Sequence, residues 1–221
     1  MTAKGRATRD RIVQAAAALI VTEGLSASNM ENVRKAASVS GSQLAHYFAD
    51  KSALIRAVIR RQIGVVLAFH RQPALGDLDS FEDFERWIDL NMRYLRRIGT
   101  TGGTPTYHAL TAQLAKSGDA TRATLAAGYW QWVELLETAI QRMKDNSILV
   151  GSAEPRQLAL VIISAHQGGG VLAFTYRAEW PHADATRFAV NYLRTFAVSP
   201  DERTPRPPRR PRRRGKPRAA T

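Results

Sequence analysis

Cysteine is absent from the 221 residues. That excludes disulfides, cysteine-ligated zinc fingers and thiol nucleophiles, and it fits a reducing cytoplasm. Long hydrophobic runs are scarce as well. The stretch 158–165 is among the longest and falls well short of the ~20 residues a membrane span needs, so no membrane partner is expected. The start of the chain is basic but leads into no signal-peptide core: Gln14 interrupts the apolar stretch 13–21, and no small-residue cleavage pattern follows it. Sustained alternation of period two is missing throughout, and Ile148-Leu149-Val150 is too short to argue for a sheet. The five histidines, at 46, 70, 108, 166 and 182, form no pair at metal-binding helical spacing. Gly168-Gly169-Gly170 lacks the Lys-Ser/Thr of a phosphate loop, and no Gly-x-Ser-x-Gly elbow occurs. No catalytic residue, metal or cofactor is therefore expected, and an enzyme has no motif behind it.

What is present begins with charge. The net charge is +13, and it sits at the two ends. Residues 1–61 hold ten Lys and Arg against four Asp and Glu, residues 62–200 hold thirteen of each, and residues 201–221 hold nine against two. A basic head and tail around a neutral body point to a polyanionic partner, where a merely soluble surface is the plainer reading.

Helix signals fill the rest. Ile12, Ala15, Ala16, Leu19 and Ile20 recur at helical spacing and predict a first helix over 8–23, closed by Gly24. Ser28-Asn29-Met30-Glu31 reads as a capping box, with Ser28 accepting from the Glu31 amide, and Ala36-Ala37 ends this second helix. Ser38-Val39-Ser40 makes a tight connection, and Ser40 caps a third helix from Gly41 to about Tyr47. Asp50 precedes a fourth, reaching about His70. Later helices are expected over 80–97, 106–116, 119–145, 154–177 and 183–196, punctuated by 99–105, 147–152 and Trp180-Pro181. From Ser199 onward proline alternates with arginine and nothing apolar remains to bury, the composition of a disordered tail.

Three short helices with a tight turn between the second and third fit a helix-turn-helix over 30–48. Val33 and Ala37 face inward, Val39 plugs the turn, and Leu44 and Phe48 return apolar surface from the third helix. The residues from Gly24 to Met30, then Val33, Ala36-Ala37-Ser38-Val39-Ser40, Leu44, His46-Tyr47-Phe48 and Lys51-Ser52-Ala53-Leu54 resemble the N-terminal domain of the tetracycline-repressor (TetR) family, without a gap over 8–58. Four positions depart from its pattern. Arg34 stands for a small Ala, Ser38 and Ser42 stand for Gly, and Ala45 replaces a frequent Tyr, which removes one phosphate contact.

The resemblance implies an all-α chain. It divides into a DNA-binding domain over 1–52, a helical connector with a ligand-binding and dimerisation domain over 53–198, and a basic tail over 199–221. It also implies a homodimeric, cytoplasmic transcriptional repressor, released from a palindromic double-stranded operator by a small molecule. Gln43 is the first choice of base reader, because an amide pairs bidentately with adenine. Ser42 and His46 are further base candidates, while Tyr47, Lys51, Ser28 and Asn29 are assigned to phosphates. Lys4, Arg6 and Arg9 are placed to reach the backbone or a minor groove. A solvated surface residue is the plain alternative for each. An alternative for the whole chain is a less specific architectural DNA binder that relies on its basic ends.

In the body, Trp87, Tyr94, Tyr107, Trp130, Trp132, Phe174 and Tyr176 accumulate, with His108, Gln113, His166 and Gln167 as polar company. Ordinary core accounts for such residues too. Tyr94, Tyr107, Trp130 and His166 are the pocket candidates. Trp130 and Trp132 cannot face the same way on one helix, so at most one lines a cavity. The glycines after Gln167 cost helix stability. Close packing against a partner helix, a kink beside a cavity, or a break between two helices would each account for them.

Overall fold

The computed structural model describes residues 1–100 and 105–199; residues 101–104, inside the expected break over 99–105, and the arginine–proline tail from residue 200 lie outside them. Among the described residues the chain is helical, and Leu149 and Ala197 meet only in an isolated antiparallel bridge. The helices are α1 (Ala3–Glu23), α2 (Met30–Ala36), α3 (Gly41–Tyr47), α4 (Lys51–His70), α5 (Phe81–Ile98), α6 (Tyr107–Leu114), α7 (Asp119–Asp145), α8 (Pro155–Tyr176) and α9 (Trp180–Arg194), with a 3-10 turn at Pro73–Leu75.

Caps set most of these boundaries. The side chains of Ser40, Asp50, Ser80 and Thr106 each accept a first-turn amide of α3, α4, α5 and α6. Two starts differ from expectation by three residues or more. α1 begins at Ala3, because Thr2 Oγ1 accepts the Gly5 amide at 3.2 Å and carries the helix back over a polar stretch with no apolar period. α9 begins at Trp180, where Pro181 occupies the first turn and needs no donor there.

The head is closed by Ile12, Ala16 and Ile20 of α1 against Val33, Ala37, Val39, Leu44 and Phe48, all buried. Arg11 Nε donates to the Ala37 carbonyl at 2.9 Å and ties α1 to the turn. Ser38 in that turn adopts φ +51°, the left-handed region, so the departure from glycine is accommodated with strain.

α4 packs on α1 and on α7, while α6 touches α1, α4, α7 and α8. α8 lies against α7 and α9, and it runs unbroken through its glycines. A methyl at Gly169 would lie 2.9 Å from the His182 Cα, so this glycine lets α8 and α9 approach closely. Of the three accounts of these glycines, the break between two helices is excluded, and at Gly169 close packing against another helix applies. The close partner is a helix of the same chain. α8 also corrects the reading of short apolar runs: small and polar residues interrupt its apolar stretch, yet it is long and apolar enough to cross a membrane by length and composition.

Candidate nucleic-acid interface and ligand cavity

α3 is held so that Leu44 is buried while Ser42, Gln43, Ala45 and His46 are exposed on the outer side. A capping box starts this helix: Gln43 N–H donates to Ser40 Oγ at 3.1 Å, and Ser40 N–H donates to Gln43 Oε1 at 2.9 Å. The expected base reader therefore already uses its acceptor. That oxygen keeps a second lone pair, and its two Nε2–H donors are unaffected, so both sides of the amide stay available for a base. Ser42 Oγ lies 3.0 Å from Ser40 Oγ. His46 packs edge-on against Tyr47, with ring centroids 4.9 Å apart.

The assigned phosphate holders divide. Ser28 is buried and its hydroxyl donates to the Leu25 carbonyl at 2.8 Å. It neither caps α2 nor faces solvent. Asn29 caps instead, accepting the Asn32 amide at 2.8 Å, because the helix starts one residue later than the Ser-x-x-Glu pattern suggests. Glu31, freed from the box, pairs with Arg34 at 2.7 Å, and that guanidinium holds its carboxyl down to about 2. Lys51 Nζ donates to the same Leu25 carbonyl at 2.7 Å, which anchors the start of α4 beneath the α1–α2 loop. Tyr47 is half-buried, its hydroxyl close to Gly5. Lys4, Arg6 and Arg9 lie on α1 itself rather than on an extended arm. Arg6 Nη1 donates to the Met1 carbonyl, and Arg9 stacks over the Phe48 ring at 5.2 Å.

A second feature lies in the body, where α4 to α8 and the start of α9 line a cavity of about 90 Å³ that opens to solvent on one side. Of the pocket candidates, Tyr94, Tyr107 and His166 line it, as do His108 and Gln167. Trp130 does not. It is 44% exposed on the outer face of α7 beneath Arg156, and Trp132, two positions on, takes the inner place. Gln113 is exposed on α6, near Gly24. The sequence reading missed His70, Asn91 and His182. No local signal marks them, since they come from three separate helices.

These groups are wired together. Trp87 Nε1 and Trp132 Nε1 both donate to His70 Nε2, at 2.9 and 3.1 Å. His70 is thus a neutral acceptor at Nε2 and donates from Nδ1 to the Val66 carbonyl at 2.8 Å. Tyr129 donates to Gln167 Oε1, Gln167 Nε2 to His166 Nδ1, His166 Nε2 to Asn91 Oδ1, and Asn91 Nδ2 to the Trp87 carbonyl. Burial pushes His70 down to about 4, against the opposing pull of Val66. Burial, helped by His182, pushes His108 down to about 4. His166 is held well below its ordinary value by burial and then by its three histidine neighbours, and His182 is lowered by burial. Burial also raises the phenols of Tyr94 and Tyr107. No group of three or more His, Asp or Glu side chains is arranged to hold a metal among the described residues.

Residues 12–58 match the family model of bacterial regulatory proteins, tetR family. Over 76 residues, 34% of this chain, the sequence is 33% identical to the HTH-type transcriptional regulator UidR of Escherichia coli strain K12. The chain spans 39% of the length of that curated relative. Its fold is similar to that of regulatory protein TetR from Rhodobacter sphaeroides, with a TM-score of 0.72 at 18% identity, covering 83% of this chain and 97% of that one. It is also similar to a TetR-family transcriptional regulator from Cytophaga hutchinsonii, with a TM-score of 0.75 at 15% identity over 90% and 99% of the two chains. For reduced E. coli NemR the TM-score is 0.67 at 21% identity, over 88% and 100%.

Proposed function

We propose that this chain, whose residues 12–58 match the tetR family of bacterial regulatory proteins, is a homodimeric, cytoplasmic transcriptional repressor of that family that leaves its operator when a small molecule fills the cavity of its body. The family consists of transcriptional regulators and not of enzymes. The division into a DNA-binding head over 1–52, a body over 53–198 and a basic tail over 199–221 belongs to the same proposal.

One helix carries the reading. α4 begins with Lys51 bound to the Leu25 carbonyl of the head and ends with His70 in the cavity wall. Its 20 residues make a strut of about 30 Å. A ligand that displaces His70 or the indoles donating to it tilts this strut, and the two heads of a dimer then no longer match their half-sites. The effect is set by the difference in ligand affinity between the two arrangements.

The dimer is supported by an unpartnered apolar face. Val161, Val171 and Leu172 of α8 and Phe188 and Tyr192 of α9 are each 41% exposed or more, and a side chain at Gly168 would meet nothing within 4 Å. An exposed apolar patch of this kind marks an interface, and two-fold pairing there suits a palindromic operator. In this reading Ser42, Gln43 and His46 face base edges, while Tyr47, Lys51 and Asn29 approach phosphates.

The test is binding to duplexes selected from a random pool and to promoter fragments from the chain's own genomic neighbourhood. A preferred site should emerge, bound by a dimer in sedimentation, with Phe188→Glu weakening both. No preference over random duplex overturns the specific-regulator reading. The second reading, an architectural binder, is favoured by the charge concentrated at the ends. Deleting 201–221 separates the two. A repressor loses affinity and keeps its site, whereas an architectural binder loses most of its binding and shows a steep salt dependence.

A further inference from the structure

Resting on the ligand-responsive reading above, we infer that the cavity takes an organic acid, an apolar body with one anionic end, whose body lies against the rings of the interior and whose anion meets Arg97 at the opening.

The opening is marked by exposure. Val65 of α4 is 39% exposed, more than any other residue of the lining. Phe69, one turn further along α4, and Tyr94 and Ile98 of α5 are half-buried, as are His108 of α6 and Phe174 of α8. His70, Asn91 and Trp132 are buried and form the deeper wall. A bound molecule is therefore free to reach out of the cavity at this side.

Two kinds of surface meet there. The lining itself contains no Lys, Arg, Asp or Glu. A charge placed inside would lose its hydration with no opposite charge to offset it. Phe69, Tyr94, Trp132 and Phe174 supply ring surfaces instead, which suit an apolar body. The rim has a different character. α4, α6 and α8 contain no Asp or Glu, and α5 has none after Asp89. Cations remain. Arg93 and Arg97 are exposed on the last turns of α5, and Arg61 stands one turn before Val65 on α4. Arg96 is set apart from these by its ion pair with Glu179 at 2.8 Å.

Arg97 is the cation in contact with the lining. Its guanidinium lies over the Tyr94 ring, 5.3 Å from the centroid. Stacking uses the face of the guanidinium and leaves its N–H edge, which no ion pair or hydrogen bond takes among the described residues. Burial raises the Tyr94 phenol and the Arg97 charge pulls it back, so that charge is felt at the edge of the cavity. A positive rim over an apolar interior attracts an anion with an apolar body and orients it, anion outward. The same field repels an amine and gives an alcohol no help.

The experiment is calorimetric titration of the full chain with two bodies, octyl and phenylbutyl, each as its carboxylate, alcohol and amine. At least one carboxylate should bind about tenfold more tightly than its alcohol, with the amine weakest. Arg97→Gln should remove that preference and leave alcohol binding unchanged; Arg97 is exposed, so its replacement leaves the core intact. Arg97→Lys should keep most of the preference. Arg71→Gln, which removes the same charge just beyond the end of α4, should keep all of it. Added salt should narrow the gap between carboxylate and alcohol. An alcohol or amine that binds as tightly as its carboxylate, an undiminished preference in Arg97→Gln, an equal loss in Arg71→Gln, a gap indifferent to salt, or no binding of any probe to the folded wild type overturns the assignment. Operator affinity is measured separately. A carboxylate that binds at Arg97 without weakening DNA binding supports this assignment and overturns the release mechanism.

Discussion

The Gln43 side-chain oxygen accepts the Ser40 backbone N–H at 2.9 Å, so the residue proposed to read a base also caps the helix that presents it. The two roles separate by substitution. Gln43→Glu keeps the acceptor and adds a negative charge favoured at a helix N-terminus, so thermal stability should hold or rise slightly. The same change removes both N–H donors and faces the phosphates with like charge, so operator affinity should fall by tenfold or more, on the order of 1–3 kcal/mol. Gln43→Ala should cost about 0.5–1 kcal/mol of stability and relax the choice of base at one position. Melting curves and anisotropy titrations on the selected site check both. A Glu variant that binds as well as the wild type would remove Gln43 from the interface.

Ser38 sits at φ +51° in the turn between the two motif helices. A residue with a Cβ pays about 1 kcal/mol there, and glycine does not. Part of that gain is lost to the greater freedom of glycine in the unfolded chain. Ser38→Gly should therefore raise stability by about 0.5 kcal/mol, read as a higher urea midpoint with an unchanged slope. A lower midpoint would show that the Ser38 side chain contributes more than its backbone costs.

Three buried or facing glycines should respond with different signs. A β-carbon at Gly128 collides with the Tyr107 hydroxyl, and one at Gly169 meets the α9 backbone at His182. Ala at either position should cost about 1–3 kcal/mol. Gly168 has open space within the chain, so Ala there should gain about 1 kcal/mol in helix propensity but disturb a partner helix packed on that face. The expected result is a dimer that dissociates more readily in sedimentation. An undisturbed dimer with a raised melting point would place the interface elsewhere.

The local elements were legible because their signals are local. α7 was expected over 119–145 and runs Asp119–Asp145, and Ser40 and Asp50 cap α3 and α4 as their spacing indicates. The head followed from one contiguous motif. The cavity was legible only in part. Tyr94, Tyr107 and His166 are aromatic groups in a neutral segment, but His70 and His182 join them only when α4 and α9 are packed. Choosing Trp130 over Trp132 was a question of helical phase, which depends on where α4 docks against α7. Ser28 failed for a subtler reason. Two cap residues stand side by side, and the buried Leu25 carbonyl claims the first.

Acid should unfold the body through its histidines. His70 and His108 are pushed down to about 4, and His166 and His182 are also lowered, burial being the first cause for all four. In the unfolded chain these groups take up protons near pH 6.5, while in the folded chain they stay neutral until much lower pH. The unfolded state therefore binds more protons between about 6.5 and 4, and stability is complete above that window and falls as the pH drops through it. His70 alone accounts for a loss on the order of 3 kcal/mol by pH 4. His70→Gln keeps an acceptor for the two indole N–H groups and removes the titration. Its stability at pH 8 should be somewhat lower than that of the wild type, and its decline between pH 6.5 and 4.5 shallower. Urea midpoints at half-unit steps of pH measure the slope, and a variant as steep as the wild type would mean that protonation of His70 does not limit acid stability.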